Sequence, residues 1–418
     1  MMMDRLCTPL MSLDAARHLP VWRRPVALLA VMAFAMPVAF ATWSALLNNF
    51  VIEIAGFDGS DIGWLHTVRE IPGFFAIGVI FLIMFIREQV LAVLSLILLG
   101  VATALTAQFP SLGGLLMITL LSSIGFHYYE TVNQSLQLQW IDKRHAPQTL
   151  GWLLAVGSGA TLLAYLLIVV TWRVYDLSYD LVYWVAGGVT AALAVWVFFA
   201  YPQFESPDAQ TKKMILRRRY WLYYALQFMS GARRQIFVVF AGFMMVERYG
   251  FEVHQITALF MGALVVNMVF APILGKIVAR FGERLALIVE YGGLGAIFLL
   301  YAGIYVYDWG AGMAAGLYVV NHVFFALALA IKTYFQKIAD PADIAPTVAV
   351  AFTINHIAAV FLPAALGYLW LTSPTAVFIM AAGMAAVSLG LSVLVPRHPK
   401  PGRETLLKRP VLRAIPAV

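Results

Sequence analysis

Apolar runs of about 18–25 residues recur along nearly the whole chain, and each is long enough to cross a hydrocarbon layer of about 30 Å. They fall at about 26–47, 63–86, 90–107, 112–131, 149–171, 181–201, 220–246, 256–279, 285–306, 311–331, 346–368 and 374–395. Between them no stretch is long enough for a soluble domain. Only 12% of the residues are charged and 62% are hydrophobic, whereas a soluble domain carries roughly 25% charge. A mean hydropathy of +0.84 says the same. The expected fold is an all-α membrane protein of about 12 transmembrane helices. The first run lacks a small-residue cleavage site after it and reads as a span, not a removable signal. Residues 1–20 read as a short, poorly ordered tail.

Charge placement orients the chain. The net charge is +7, and the basic residues fall on alternate connections: Arg87, Lys143, Arg144, Lys212, Lys213, Arg217, Arg218, Arg219, Arg280, Arg284, Lys332 and Lys337. The segment after Pro396 adds Arg397, Lys400, Arg403, Lys408, Arg409 and Arg413. The opposite side receives Arg173 and Arg248 but many acids, among them Glu53, Asp58, Asp61, Asp176, Asp180, Glu247, Glu252 and Asp308. Such a bias predicts that both termini are cytoplasmic, in a bacterial-type inner membrane. It also accounts for the basic clusters without nucleic acid. Cys7 is the single cysteine, so an internal disulfide and a thiolate metal site are excluded.

The expected organisation is a cytoplasmic tail (1–25), a six-helix bundle (26–201), a basic linker (202–219), a second six-helix bundle (220–395) and a basic tail (396–418). Equal halves joined by a cytoplasmic loop suggest the internal repeat on which many secondary transporters are built.

An ionisable side chain at bilayer depth costs at least about 2.5–3.5 kcal/mol, so it points into a bundle interior, a pair or a wet cavity. Spans 1, 2, 4, 7, 8, 10 and 11 carry such polar groups. Spans 3, 6 and 12 carry no charge, and span 9 has only Glu290. Every third span could therefore face lipid while the others enclose a polar interior.

In these features the chain resembles the major facilitator superfamily, in which the first, fourth, seventh and tenth spans line a central cavity. The connection after span 8 carries the family's motif as Gly275-Lys276-Ile277-Val278-Ala279-Arg280-Phe281-Gly282-Glu283-Arg284; Gly275, Arg280, Gly282 and Arg284 match, and Ala279 replaces the acid. The connection Asp142–Gly151 is also similar to the family's. The first half departs from the pattern: Met84-Phe85-Ile86-Arg87-Glu88-Gln89 has no Gly or Asp at matching spacing. The resemblance covers about residues 26–395 and implies alternating access between two rocking halves.

Several residues are candidates for the site. Arg233 and Arg234 stand about 20 Å into span 7. Adjacent helical positions diverge by about 100°, so one could face a cavity while the other pairs with a neighbouring helix. A guanidinium suits a carboxylate or phosphate; the plainer reading is two structural arginines paired with buried acids. Arg69 and Glu70 read as a gate-setting ion pair, or Glu70 as a proton carrier. His127 and Glu130 share a helix face and could relay protons, or Glu130 could neutralise a span 7 arginine. Trp43, Asn48, Tyr128, His322, Asn355 and His356 are further substrate-binding candidates. A metal site at His322 and His356 would need a third ligand that the sequence does not place.

The expected function is secondary active transport of a small anionic or amphipathic organic solute, driven by protons, by a monomer in the lipid bilayer. A proton-antiport exporter of drugs or metabolites is the rival within the fold, and a non-transporting membrane sensor or assembly protein the rival outside it. No phosphate-binding loop and no Ser–His or Cys–His constellation occurs, so neither an ATP-driven pump nor an enzyme is expected, and no cofactor.

Overall fold

The computed structural model describes residues 10–75, 78–83, 85–142, 146–205, 216–340 and 343–407. Lys143, Arg144, Lys212, Lys213, Lys408, Arg409 and Arg413, counted above for orientation, lie outside them, as does Met84. Twelve helical spans follow in order: α1 (Pro25–Glu53), α2 (Gly59–Phe74, followed by Gly78–Ile83), α3 (Glu88–Ala104), α4 (Leu112–Trp140), α5 (Ala146–Thr171), α6 (Tyr179–Ala200), α7 (Trp221–Ile236, a π turn at Phe237–Ala241, then Gly242–Glu247), α8 (Val253–Phe281), α9 (Glu283–Tyr307), α10 (Ala311–Ala326 and Leu329–Ile338), α11 (Ile344–Thr372) and α12 (Pro374–Val393). Among the described residues, nine are long and apolar enough by length and composition to cross a membrane. The other three, α2, α3 and α7, are short or interrupted, and α2 and α7 carry membrane-depth charge.

Helix ends follow local chemistry more than hydropathy. Span 2 begins at Gly59 and not near 63, because the Asp58 side chain accepts from the Ser60 and Asp61 amides at 2.8 and 3.1 Å, and Asp61 accepts from the Asp58 amide. This is a capping box. Glu252 and Gln255 start α8 in the same way. Between α8 and α9 the chain turns at Gly282 with φ +84° and ψ 162°, a region essentially reserved for glycine. That conformation explains one glycine of the span 8 motif. Gly282→Ala is expected to cost about 1–3 kcal/mol, read as a lower melting temperature of the detergent-solubilised protein.

Each half packs as a bundle. In the first, α3 lies between α4 and α6; in the second, α9 packs on α12 and α10. Small residues permit the close approach: Gly100 on α3 meets the Gly187 backbone of α6, and Gly125 on α4 meets the backbone of α3. In a bilayer such packing replaces the hydrophobic drive that water supplies to soluble proteins. Spans 6, 9 and 12 carry many exposed apolar side chains and are peripheral, as their composition suggested, whereas span 3, wedged between α4 and α6, exposes only Val101.

The halves meet through α2 with α11, α5 with α8, and α1 with α7 and α8. The tightest contacts lie at the end opposite the termini. A Cβ on Gly63 would overlap the Pro363 carbonyl, and one on Gly59 the Trp370 ring. Trp64 donates to Tyr368 Oη at 3.0 Å, and Asn49 donates to the Phe251 carbonyl at 2.6 Å. The Ala364 amide donates to Thr67 Oγ1 at 3.1 Å, beside the helix-breaking Pro363.

The described part of the N-terminal segment is not loose, contrary to the sequence reading. The Met11 amide donates to the Gln203 carbonyl and its own carbonyl accepts from the Glu205 amide, at 2.8 and 2.9 Å. Residues 396–407 likewise dock on the second half, where Arg219 bridges Asp340 and Glu404 at 2.9 and 3.1 Å. Arg217 Nη2 donates to Asp343 at 2.7 Å, and that bond holds the Asp343 carboxyl below the usual carboxylate range. Its contribution to stability is present above that range and is lost as pH falls through the lowered value.

Candidate functional site

A cavity of about 570 Å³ lies between the halves near the middle of the spans. Phe352 and Val238 line it while remaining 40% and 42% exposed. Phe352 precedes His356 on α11, toward the end that carries the termini. The far end is sealed by the α2–α11 contacts, so the cavity opens on the terminal side.

The first half contributes a charged wall. Arg69 and Glu70 come from the last turns of α2, where the Arg69 carbonyl accepts a hydrogen bond from Ser123 of α4. Arg69 lies 3.5 Å from Glu70 Oε1 and 3.2 Å from His66 Nδ1. Its guanidinium sits 5.5 and 5.6 Å from the ring centres of Phe40 and Trp43 on α1. Two aromatic faces and a carboxylate thus hold this cation in place. Trp43 Nε1 and Asn48 Oδ1 are buried on the cavity side of α1 without a hydrogen-bond partner. His127 and Glu130 of α4 both line the cavity, as their three-residue spacing predicts. Among the described residues no carboxylate–arginine pair within 4.0 Å involves Glu130.

The second half contributes Arg234 of α7, His322 of α10, and Asn355 and His356 of α11. Arg234 Nη2 donates to Asn355 Oδ1 at 3.3 Å, and Asn355 in turn donates to the Gln227 carbonyl at 3.0 Å. Gly231 allows this: its Cα lies so close to Asn355 that a Cβ would overlap the Asn355 carbonyl. Among the described residues Arg234 is paired with an amide and with no carboxylate. The His322 and His356 Nδ1 atoms face the carbonyls of Tyr318 and Phe352 at 2.9 and 2.8 Å. A carbonyl only accepts, so Nδ1 carries hydrogen in both rings and Nε2 is the variable nitrogen.

Two candidates stand elsewhere. Arg233 is 0% exposed and points into the second bundle, where it faces Glu290 of α9 at 3.8 Å, also 0% exposed. Its guanidinium stacks 4.3 Å from the Tyr291 ring centre, and Nε donates to the Met229 carbonyl at 3.2 Å. Adjacent arginines therefore face different surroundings, one the cavity between the halves and one a fully buried helix interface. Tyr128 packs inside the first bundle, its hydroxyl near Gly78. The π turn follows both arginines, and the Phe237 amide is shared between the Arg233 and Arg234 carbonyls. Such turns concentrate at functional sites.

Sequence reasoning passed over His66 and Phe40, which position Arg69, and over Asn267 of α8, which lines the cavity. His66 and Asn267 were visible as polar groups at membrane depth; Phe40 gave no signal. The absence of a third ligand beside the span 11 histidine is corrected: Glu70 Oε2 lies 3.6 Å from His356 Nε2, and His127 adjoins both. In the span 8 motif, Gly275, Arg280, Gly282 and Arg284 lie at the terminal end of α8 and the start of α9, away from the cavity. There Glu283 pairs with Lys337 at 2.6 Å.

The architecture is similar to solved transporters. A point mutant of the nucleoside transporter NupG superposes with a TM-score of 0.73 at 12% identity, over 88% of this chain and 99% of that one. Unmutated NupG gives 0.70 at 13% identity, over 88% and 98%. A bacterial homolog of the human lysosomal transporter Spinster, inward-facing and occupied, gives 0.66 at 12% identity, over 88% and 95%. No curated protein matches in sequence. The family model for the Major Facilitator Superfamily matches residues 25–363, and with twelve spans in two bundles around a central polar cavity, the chain belongs to that superfamily.

Proposed function

We propose that the protein is a proton-coupled secondary transporter for a small organic anion, working by alternating access as a monomer in a bacterial-type inner membrane with both termini cytoplasmic. The observation that carries this reading is a pair of arginines, Arg69 and Arg234, contributed by opposite halves to one cavity. Arg69 is balanced by Glu70, whereas Arg234 has only an amide partner among the described residues. A guanidinium left without a counter-charge at membrane depth is costly unless a ligand supplies one. A solute carboxylate or phosphate does so, and the cavity volume lies within the range of small-molecule sites.

With the termini cytoplasmic, the conformation is open inward and sealed outward by α2 and α11. Glu130 is the coupling carboxylate in this reading, since it faces the cavity without an ion-pair partner among the described residues, and it gains or loses a proton as the cavity changes sides. Uptake into proteoliposomes with an imposed pH gradient tests the whole proposal. Glu130→Gln is expected to bind the solute but lose pH-driven accumulation. Accumulation undiminished in Glu130→Gln would remove the coupling role, and no gradient-dependent flux across a panel of organic anions would remove the carrier reading.

A further inference from the structure

Glu70 and His127 project from α2 and α4 of the first half, and His356 from α11 of the second. One ligand atom from each lies within 4.8 Å of the others, and all three residues are buried. The electron pairs are free. His356 Nδ1 is committed to the Phe352 carbonyl, which leaves Nε2 as an acceptor in the neutral ring. That nitrogen faces Glu70 Oε2 at 3.6 Å, too far for a hydrogen bond. Glu70 turns its other oxygen, Oε1, to Arg69. His127 Nε2 is buried with no hydrogen-bond partner.

Three donors thus converge from three helices. A tetrahedral ion with bonds of about 2.0–2.1 Å spaces its ligand atoms about 3.3–3.5 Å apart. The Glu70–His356 separation is already close to that value, and His127 reaches it by closing a gap of at most about 1.5 Å. The His356 bond to a backbone carbonyl is the outer contact that ligating histidines make. Two imidazoles with one carboxylate suit Zn²⁺ and its borderline neighbours better than Mg²⁺ or Ca²⁺.

We propose that Glu70, His127 and His356 form a Zn²⁺-class binding site that pins the two halves together. Arg69 and Arg234 face the same cluster, and their charge opposes the ion and moderates its affinity. Because the ligands come from both halves, the site is complete only while α11 stands against α2 and α4. Occupancy therefore holds this conformation. The inhibitory consequence rests on the carrier reading above; the binding site itself does not.

The test uses full-length protein in detergent, purified on a tag without histidines and washed with chelator, titrated with Zn²⁺ alone by calorimetry. One equivalent is expected to bind and to raise the melting temperature. His127→Ala and His356→Ala are each expected to weaken binding by about 100-fold or more, beyond the loss of an outer-sphere contact. Removing His254 and His398, which lie away from the cavity, together is expected to leave it unchanged. Co²⁺ in place of Zn²⁺ reports ligation by its visible spectrum, and Glu70→Gln, which keeps the side-chain shape, is expected to alter that spectrum. Absence of saturable Zn²⁺ binding in monodisperse wild-type protein, or wild-type affinity retained in either histidine variant, would overturn the site. Neither result needs a transported solute, so failure here is distinguishable from failure of the transport reading.

Discussion

Arg234→Ala is expected to abolish solute binding and flux while leaving the fold intact. A charge-assisted hydrogen bond contributes about 1.5–3 kcal/mol, and a guanidinium that forks onto a carboxylate makes two. At about 1.4 kcal/mol per tenfold, losing both lowers affinity by about 100- to 10⁴-fold. Stability changes little, because no buried carboxylate is orphaned: Asn355 loses one long hydrogen bond and keeps the Gln227 carbonyl. Arg234→Lys keeps the charge but loses the planar fork, so it restores binding only in part. The measurements are solute-dependent thermal stabilisation and proteoliposome uptake, made on protein that elutes as wild type. An Arg234→Ala protein that transports normally would remove the anion site from this cavity.

What the sequence revealed follows from which physical signals are local. Span number, the division into halves and the peripheral rank of spans 6, 9 and 12 are legible because hydrocarbon forces long apolar runs and confines charge to the interior. Cavity residues were legible for the same reason: His127, Glu130, His322, Asn355 and His356 all reach it. Helix starts were missed where a cap decides, as at Asp58. Partner choice was missed because it depends on helix rotation. Nothing local tells that Arg233 turns to Glu290 while its neighbour turns to the cavity, nor that Tyr128 turns inward where His127 faces the other half. The convergence of Glu70, His127 and His356 was illegible for a related reason, since it joins three helices from two bundles.

The contrast between the adjacent arginines yields the second large effect. Arg233 and Glu290 are both fully buried and face each other at 3.8 Å. Removing one partner strands a charge in a dry interface, which costs about 3–5 kcal/mol in comparable pairs. Loss of the Tyr291 ring contact adds to it. Arg233→Ala and Glu290→Ala are therefore each expected to lower the melting temperature and the yield of folded protein sharply. The double replacement Arg233→Met with Glu290→Leu removes both charges and refills the volume, so it recovers most of the stability, as apolar replacement of buried pairs does elsewhere. Per folded molecule, that double variant should still bind the solute, because neither residue reaches the cavity. A double-mutant cycle on thermal or denaturant unfolding measures the coupling, and uptake on the same samples separates folding from function. If Arg233→Ala folded as well as wild type yet failed to bind, Arg233 would belong to the site and the division of labour between the two arginines would be wrong.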